Sequence, residues 1–261
     1  MLAYLGAVWK CRYFWLSLVR MDLRARYRGS VLGIGWSLLH PLAMTVIVCT
    51  AFGTLFNADL KFYAPFLMTG LTCWNYLLHV AQLGSSCFFQ GETYIRQCPS
   101  PMAIYPLRTM LANAFHFLVA LLLAIVLTIV LHRGLKSPLA LLSLAPSLVL
   151  FLLLGWSLAT VFGLLNVRFR DVNHVTELGF QSLFYLTPII YQPNLLRGRG
   201  LGWLLHVNPV VPFLDLLRSP IVEGQFPSLQ TYASACLIVV LFTAFAAGLL
   251  RREERRLIFL F

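Results

Sequence analysis

Six long stretches of this chain contain no Asp, Glu, Lys or Arg: Gly29 to Ala58, Phe62 to Gly91, Thr109 to His132, Ser137 to Val167, Leu178 to Leu196 and Gly224 to Leu250. A charge at mid-bilayer costs roughly 2.5 to 3.5 kcal/mol on the insertion scale, and a helical crossing needs roughly 17 to 25 predominantly apolar residues. Every stretch reaches that length, so the pattern predicts an all-α polytopic membrane protein with six transmembrane helices. Composition agrees. Of 261 residues 59% are apolar and only 11% charged, against about a quarter charged in a soluble domain, too few to give the exterior of a water-soluble fold of this length.

Six crossings put both termini on one side. That side collects 14 of the 20 Lys and Arg residues, so the positive-inside bias predicts cytosolic termini. A shorter charge-poor stretch, Gly200 to Leu214, holds Pro209 and Pro212 beside Asn208 and is too short to cross. Six of the thirteen prolines fall between Pro188 and Pro227. The link from the fifth to the sixth span should therefore be short, broken helices, which survive at membrane depth only against protein or water.

Two segments outside the spans carry a pattern of their own. Residues 1–30 place Arg20, Arg24 and Arg28 on one helical face, with Val8, Trp9, Trp15, Leu16, Val19 and Leu23 as bulky apolar surface. This is an amphipathic helix suited to the headgroup layer, and it serves equally as a lipid anchor or as a docking surface. No removable signal peptide is expected. Between the second and third spans a short helix is expected from Glu92 to about Cys98, stopped by Pro99, Pro101 and Pro106. That cytosolic elbow, 91–105, is either a plain turn or a knob for a partner's cleft.

The 36 aromatic residues should mostly face lipid or form interfacial belts. Some can line a passage, because rings stack on the C–H faces of sugars while Tyr and Trp keep a polar edge. The candidates are Trp36, Phe52 and Phe56 in the first span, Trp74 and Tyr76 in the second, and Phe184, Tyr185 and Tyr191 in the fifth. The six cysteines contain no C-x-x-C pair and read as small buried hydrophobes, with no metal site.

Missing chemistry narrows the function further. The lysines are Lys10, Lys61 and Lys136, none following a glycine, so the chain has no G-x-x-x-x-G-K-[ST] phosphate cradle. Any ATP is hydrolysed by another polypeptide. The spans offer no carboxylate or basic residue for an ion relay; His40, His79 and His116 are the titratable exceptions, and a lone histidine in a span is more often hydrogen-bonded packing. No H-E-x-x-H or G-x-S-x-G occurs. Asp171 and His174 can share a helical face, but Arg168 and Arg170 would pair with that aspartate first. A membrane transferase assembled from distant loops remains the enzymatic alternative.

Four segments resemble one family, the membrane subunit of type-2 ABC exporters for polysaccharides and polyol phosphates. They are Asp22 to Gly33 (DLRARYRGSVLG) followed by Trp36 and His40-Pro41-Leu42; Pro101 to Leu107 (PMAIYPL); Asn166 to Val172 (NVRFRDV); and Asn208-Pro209 leading through Pro212 to Arg218, with the basic tail Arg251 to Arg256. His40 stands where the family usually has Asn, and Met102 where it usually has a basic residue. The resemblance implies a single transmembrane domain over 1–261 that moves lipid-linked glycan of O-antigen, capsule or teichoic-acid type across the bacterial inner membrane. It implies a homodimer with a channel between protomers, joined to two copies of a cytosolic ABC ATPase that binds ATP and Mg, with no cofactor in this chain and no nucleic acid. By the same resemblance Arg24, Arg28, Glu92 and Arg96 couple to the ATPase, and 193–223 forms gate helices at the outer mouth. The alternative is an ABC permease of related architecture for a drug, a lipid or haem.

Overall fold

The computed structural model describes residues 2–30, 32–33, 35–55, 59–97, 100–132, 134, 136–198 and 200–260. Among the expected positions, Phe56, Cys98 and Pro99 lie outside the described residues. Every regular element among the described residues is helical. The N-terminal segment is two helices, α1 (Leu2–Lys10) and α2 (Arg12–Tyr27), and not the one expected, because the chain turns out of helical geometry at Cys11 (φ −84°, ψ 16°). α3 (Gly35–Leu55) and α4 (Leu60–Ser85) follow, then the short α5 (Cys87–Gln90) and α6 (Glu92–Gln97), then α7 (Ile104–His132). A 3-10 turn, Pro138–Ser143, leads into α8 (Leu144–Arg168), followed by α9 (Val172–Leu186), α10 (Pro193–Gly198) and α11 (Trp203–Val207). α12 (Val211–Arg218) runs into a π-helical turn, Ser219–Glu223, before α13 (Leu229–Leu260).

Four of these segments are long and apolar enough to cross a membrane: Gly35–Gly53, Ile104–His132, Pro138–Arg168 and Leu229–Glu254. At 1.5 Å per residue α7 is about 44 Å long, well over the roughly 30 Å hydrocarbon core. The chain is an integral membrane protein. The other two expected spans look different. α4 is 26 residues long but carries Thr69, Thr72, Asn75, Tyr76 and His79 on a helix that is buried along most of its length. It can be less apolar because it faces protein. α9 is a helix of fifteen residues, about 22 Å.

α4 is the hub, packed against α3, α7, α8, α9 and α12, with Leu67, Met68, Cys73, Val80 and Ala81 fully enclosed. Near its end the contact with α8 is backbone to backbone. A Cβ on Gly84 would lie 2.5 Å from the Cα of Ala159, so only glycine lets the two helices meet there. Polar side chains in this interior bond from helix to helix: the Tyr76 hydroxyl donates to Phe151 O at 3.1 Å and Asn166 Nδ2 to Ser85 O at 2.9 Å. α13 lies along α8, tied by Ser157 and Thr243 at 2.9 Å and by the Tyr232 hydroxyl, which donates to Ser143 O at 2.8 Å.

The fifth span is expected over the charge-free stretch from Leu178 to Leu196. Instead the helix starts earlier, at Val172, and stops at Leu186, with Thr187 extended (φ −98°, ψ 133°). Pro188 explains the stop, since proline disfavours helical geometry in the residue before it. Three consecutive carbonyls of the unwound backbone that follows are bonded by side chains. Arg218, 4% exposed, donates from Nη1 to Pro188 O at 2.7 Å and from Nη2 to Ile189 O at 3.2 Å. The Tyr63 hydroxyl donates to Ile190 O at 2.8 Å. The guanidinium lies 3.6 Å from the centre of the Phe66 ring, and it passes over Gly70, where a Cβ would come within 2.6 Å of Nη2. Asn208 adds a bond from Nδ2 to Thr187 Oγ1 at 2.8 Å and accepts from Val210 N at 2.9 Å.

Candidate functional site

The N-terminal helices and the elbow meet on one face. A six-residue helix has no stability of its own, so α6 depends on its anchors. Ile95 is buried in a cluster with Phe88, Tyr105 and Leu164. Tyr94 packs edge-on against Phe14 at the start of α2, ring centres 5.7 Å apart, and its hydroxyl lies 3.9 Å from Met21 Sδ. The anchors leave Glu92 and Arg96 outward, bonded to each other at 2.7 Å and both well exposed. An exposed i,i+4 pair of this kind is worth about 0.3 to 0.5 kcal/mol. Arg24 on α2 and Arg28, the extended residue just past its end, are exposed; neither makes an ion pair among the described residues.

Two ties that the sequence reading missed hold this face to the bundle. Asp22 of α2 and Arg108 of α7 form a two-bond fork, with the arginine almost completely buried. Asp22 is the one acidic residue before Asp59 in a segment rich in arginine, and that isolation was the available signal. The second tie is a clasp at the other end of the chain. Glu254 Oε1 on α13 accepts from the Tyr4 hydroxyl at 2.7 Å and from Met102 N at 3.1 Å, while Tyr4 Oη accepts from Ala103 N at 3.3 Å. One carboxylate thus joins α1, the proline-rich end of the elbow and α13. Burial, and then the bond to Glu254, push the Tyr4 hydroxyl well above its ordinary pKa, so it stays a donor.

The candidate rings fall into two groups and one outlier. Trp74 of α4 is buried and meets Phe184 of α9 with ring centres 5.4 Å apart; Phe184 in turn meets Tyr185 at 5.5 Å. The Tyr191 hydroxyl donates to Tyr185 O at 3.0 Å, closing this group. Phe180, not among the candidates, joins it at 5.6 Å from Trp74. Tyr185 is 67% exposed and Trp36 is 53% exposed, whereas Trp74 and Tyr76 are enclosed within the chain. Phe52 packs partly buried against the core.

Trp36 and Tyr76 belong to the second group, around a cavity of about 390 Å³ between α2, α3, α4 and α7. His40, His79 and His116 all line the same cavity. Read one at a time along the chain, each looks like isolated packing; three helices bring them together.

These features define a class: a helical integral membrane protein with a buried central helix, an amphipathic N-terminal pair, and a sequence without a nucleotide-phosphate cradle. The ABC-2 type transporter family matches residues 13–222, and the chain belongs to that family. It is accordingly a transport subunit. Among its relatives are two proteins named O-antigen export system permease protein RfbA from Klebsiella pneumoniae. One is 25% identical over 85% of this chain and 87% of its own length, the other 26% identical over 79% of each. A protein of the same name from Myxococcus xanthus is 24% identical over 97% of this chain and 98% of its own.

Proposed function

We propose that this chain is the channel-forming subunit of an ATP-driven exporter that carries lipid-linked polysaccharide of O-antigen type across the bacterial inner membrane. The observation that carries this reading is the match, along nearly the whole length of both chains, to a protein named as an O-antigen export permease. In this reading six segments cross the membrane, both termini are cytosolic, and two copies form a homodimer with the channel between them. Two copies of a separate ABC ATPase bind ATP and Mg and dock on the cytosolic side.

The amphipathic helices within 1–30 and the elbow at 91–105 receive the ATPase, with Arg24, Arg28, Glu92 and Arg96 as coupling residues. Support comes from the packing of Phe14 and Met21 on Tyr94, through which a push on α6 reaches α2 directly. The short helices of 193–223 close the outer mouth. Trp36 and Tyr185 are exposed on the surface of the protomer, as rings that guide a passing glycan must be. ATP binding brings the ATPase subunits together, and the elbow shifts the protomers between states that hold the glycan differently.

The test is export in cells and reconstituted vesicles. Removing the ATPase should abolish export while leaving this chain inserted; export without any ATPase would refute the proposal. Trp36→Ala and Tyr185→Ala should impair export and leave ATPase assembly unchanged. Stimulation of the ATPase by small amphiphiles and not by lipid-linked glycan would favour a drug or lipid cargo instead.

A further inference from the structure

The cavity between α2, α3, α4 and α7 gathers polar and titratable side chains from four helices. His40, His79 and His116 come to it from three helices, and Arg26 from the end of α2. Arg26 lies within electrostatic reach of His79 and His116, and His40 within reach of His79. No Asp or Glu is among the lining residues. Polar capacity is left open: the side chains of Arg26, His40, Asn75 and His79 make no hydrogen bond or ion pair with described residues.

Two more lining residues hold buried atoms without partners. The ring of His116 is fixed at Nδ1, which lies 2.8 Å from the Tyr27 hydroxyl and 2.9 Å from Ser37 Oγ. Its Nε2 is buried and unpartnered, and so is Thr72 Oγ1. A buried polar atom left unsatisfied costs about 1 to 3 kcal/mol, and two at one cavity point to a ligand that supplies the missing bonds.

The chemistry of the lining selects the ligand. A guanidinium, three imidazoles and two carboxamides are all able to donate, and no carboxylate opposes a negative charge. A neutral sugar would offer Arg26 no counter-charge; a phosphate group supplies both the charge and acceptor oxygens for the surrounding N–H and O–H groups. The volume falls within the roughly 300–1,000 Å³ of small-molecule sites. Arg26 sits where α2 ends and His40 in the second turn of α3, so the cavity opens where an amphipathic helix hands over to an apolar one, the depth of lipid headgroups.

We propose that this cavity is a phosphate-binding site, which takes the phosphate of an amphiphile from the headgroup layer or free phosphate from solution. It stands whether the exported cargo is a glycan lipid or another amphiphile. Calorimetry on the full-length protein in a phosphate-free maltoside detergent tests it, with lysophosphatidic acid, the monoacylglycerol of the same tail, and inorganic phosphate as probes. Lysophosphatidic acid should bind and the monoacylglycerol should not. Arg26→Gln and His79→Gln should each weaken binding at least tenfold. His40→Asn, which restores the residue usual in the resembling family and so keeps the fold if the other variants lose it, should weaken binding several-fold. Competition by inorganic phosphate would identify the phosphate alone as the recognised group; binding of lysophosphatidic acid without such competition would add the lipid tail to it. Equal binding of the monoacylglycerol, no binding of either phosphate probe, or undiminished binding in folded variants would overturn the proposal.

Discussion

The α4–α8 crossing and the proline-rich link from Thr187 to Glu223 meet the same demand, that every backbone group in an apolar surrounding be bonded, by opposite means. At the crossing both helices close their own backbone bonds, so the side chains have only to get out of the way, and Gly84 against Ala159 does so. In the link the helix has ended, and three consecutive carbonyls, Pro188, Ile189 and Ile190, depend on Arg218 and Tyr63. A crossing made of small residues tolerates nothing larger. Three carbonyls held by two long side chains have no second donor among the described bonds. The comparison shows where each region breaks: the first by addition, the second by removal.

The largest effect should come from the link. Arg218→Ala leaves two buried carbonyls bare and empties the space beside Phe66, a loss of about 3 to 5 kcal/mol from unsatisfied groups and lost packing. Thermal unfolding in detergent should show it, and limited proteolysis should cut first between Thr187 and Gln192; an unchanged digestion pattern would mean the carbonyls find other donors. Arg218→Lys should recover only part, since an ammonium cannot reach two carbonyls while lying flat on a ring.

At the crossing, Gly84→Val should cost about 1 to 3 kcal/mol by overpacking, with faster hydrogen exchange at the end of α4 and no change in cleavage of the link. If it opened the link as readily as Arg218→Ala, the two regions would be one cooperative unit. Tyr63→Phe removes a single donor and should cost about 1 kcal/mol, which isolates the Ile190 bond from the two made by Arg218. The smallest effect belongs to a place that neither device governs. Arg96→Ala, at an exposed pair, should move stability by no more than about 0.5 kcal/mol, while on the proposed function it lowers glycan-stimulated ATP hydrolysis by the assembled complex; a drop in stability equal to that of Tyr63→Phe would make Arg96 structural.

Much of this architecture is legible in the sequence. A long helix covers most of five of the charge-free stretches, a short helix forms at Glu92–Gln97, and the prolines break the chain where they cluster. Local rules suffice there, because an intramembrane charge and a helix-breaking ring act on the segment that carries them. The break at Cys11 was not legible, with no Gly or Pro to mark it. Nor was the clasp in which Tyr4 meets Glu254 across 250 positions, or the fork joining Asp22 to Arg108.

By itself, then, the amino-acid order determined that this chain enters lipid, which stretches carry its long helices, and that it lacks a phosphate cradle for ATP. Those properties depend on transfer free energies and backbone geometry summed over neighbours. Only the tertiary structure decided that α4 sits at the centre, that Arg218 holds the carbonyls of a link thirty residues behind it, and that three scattered histidines share one cavity with Arg26. Each of those facts depends on which helix faces come within a few ångströms of one another, and no residue's own neighbours carry that information.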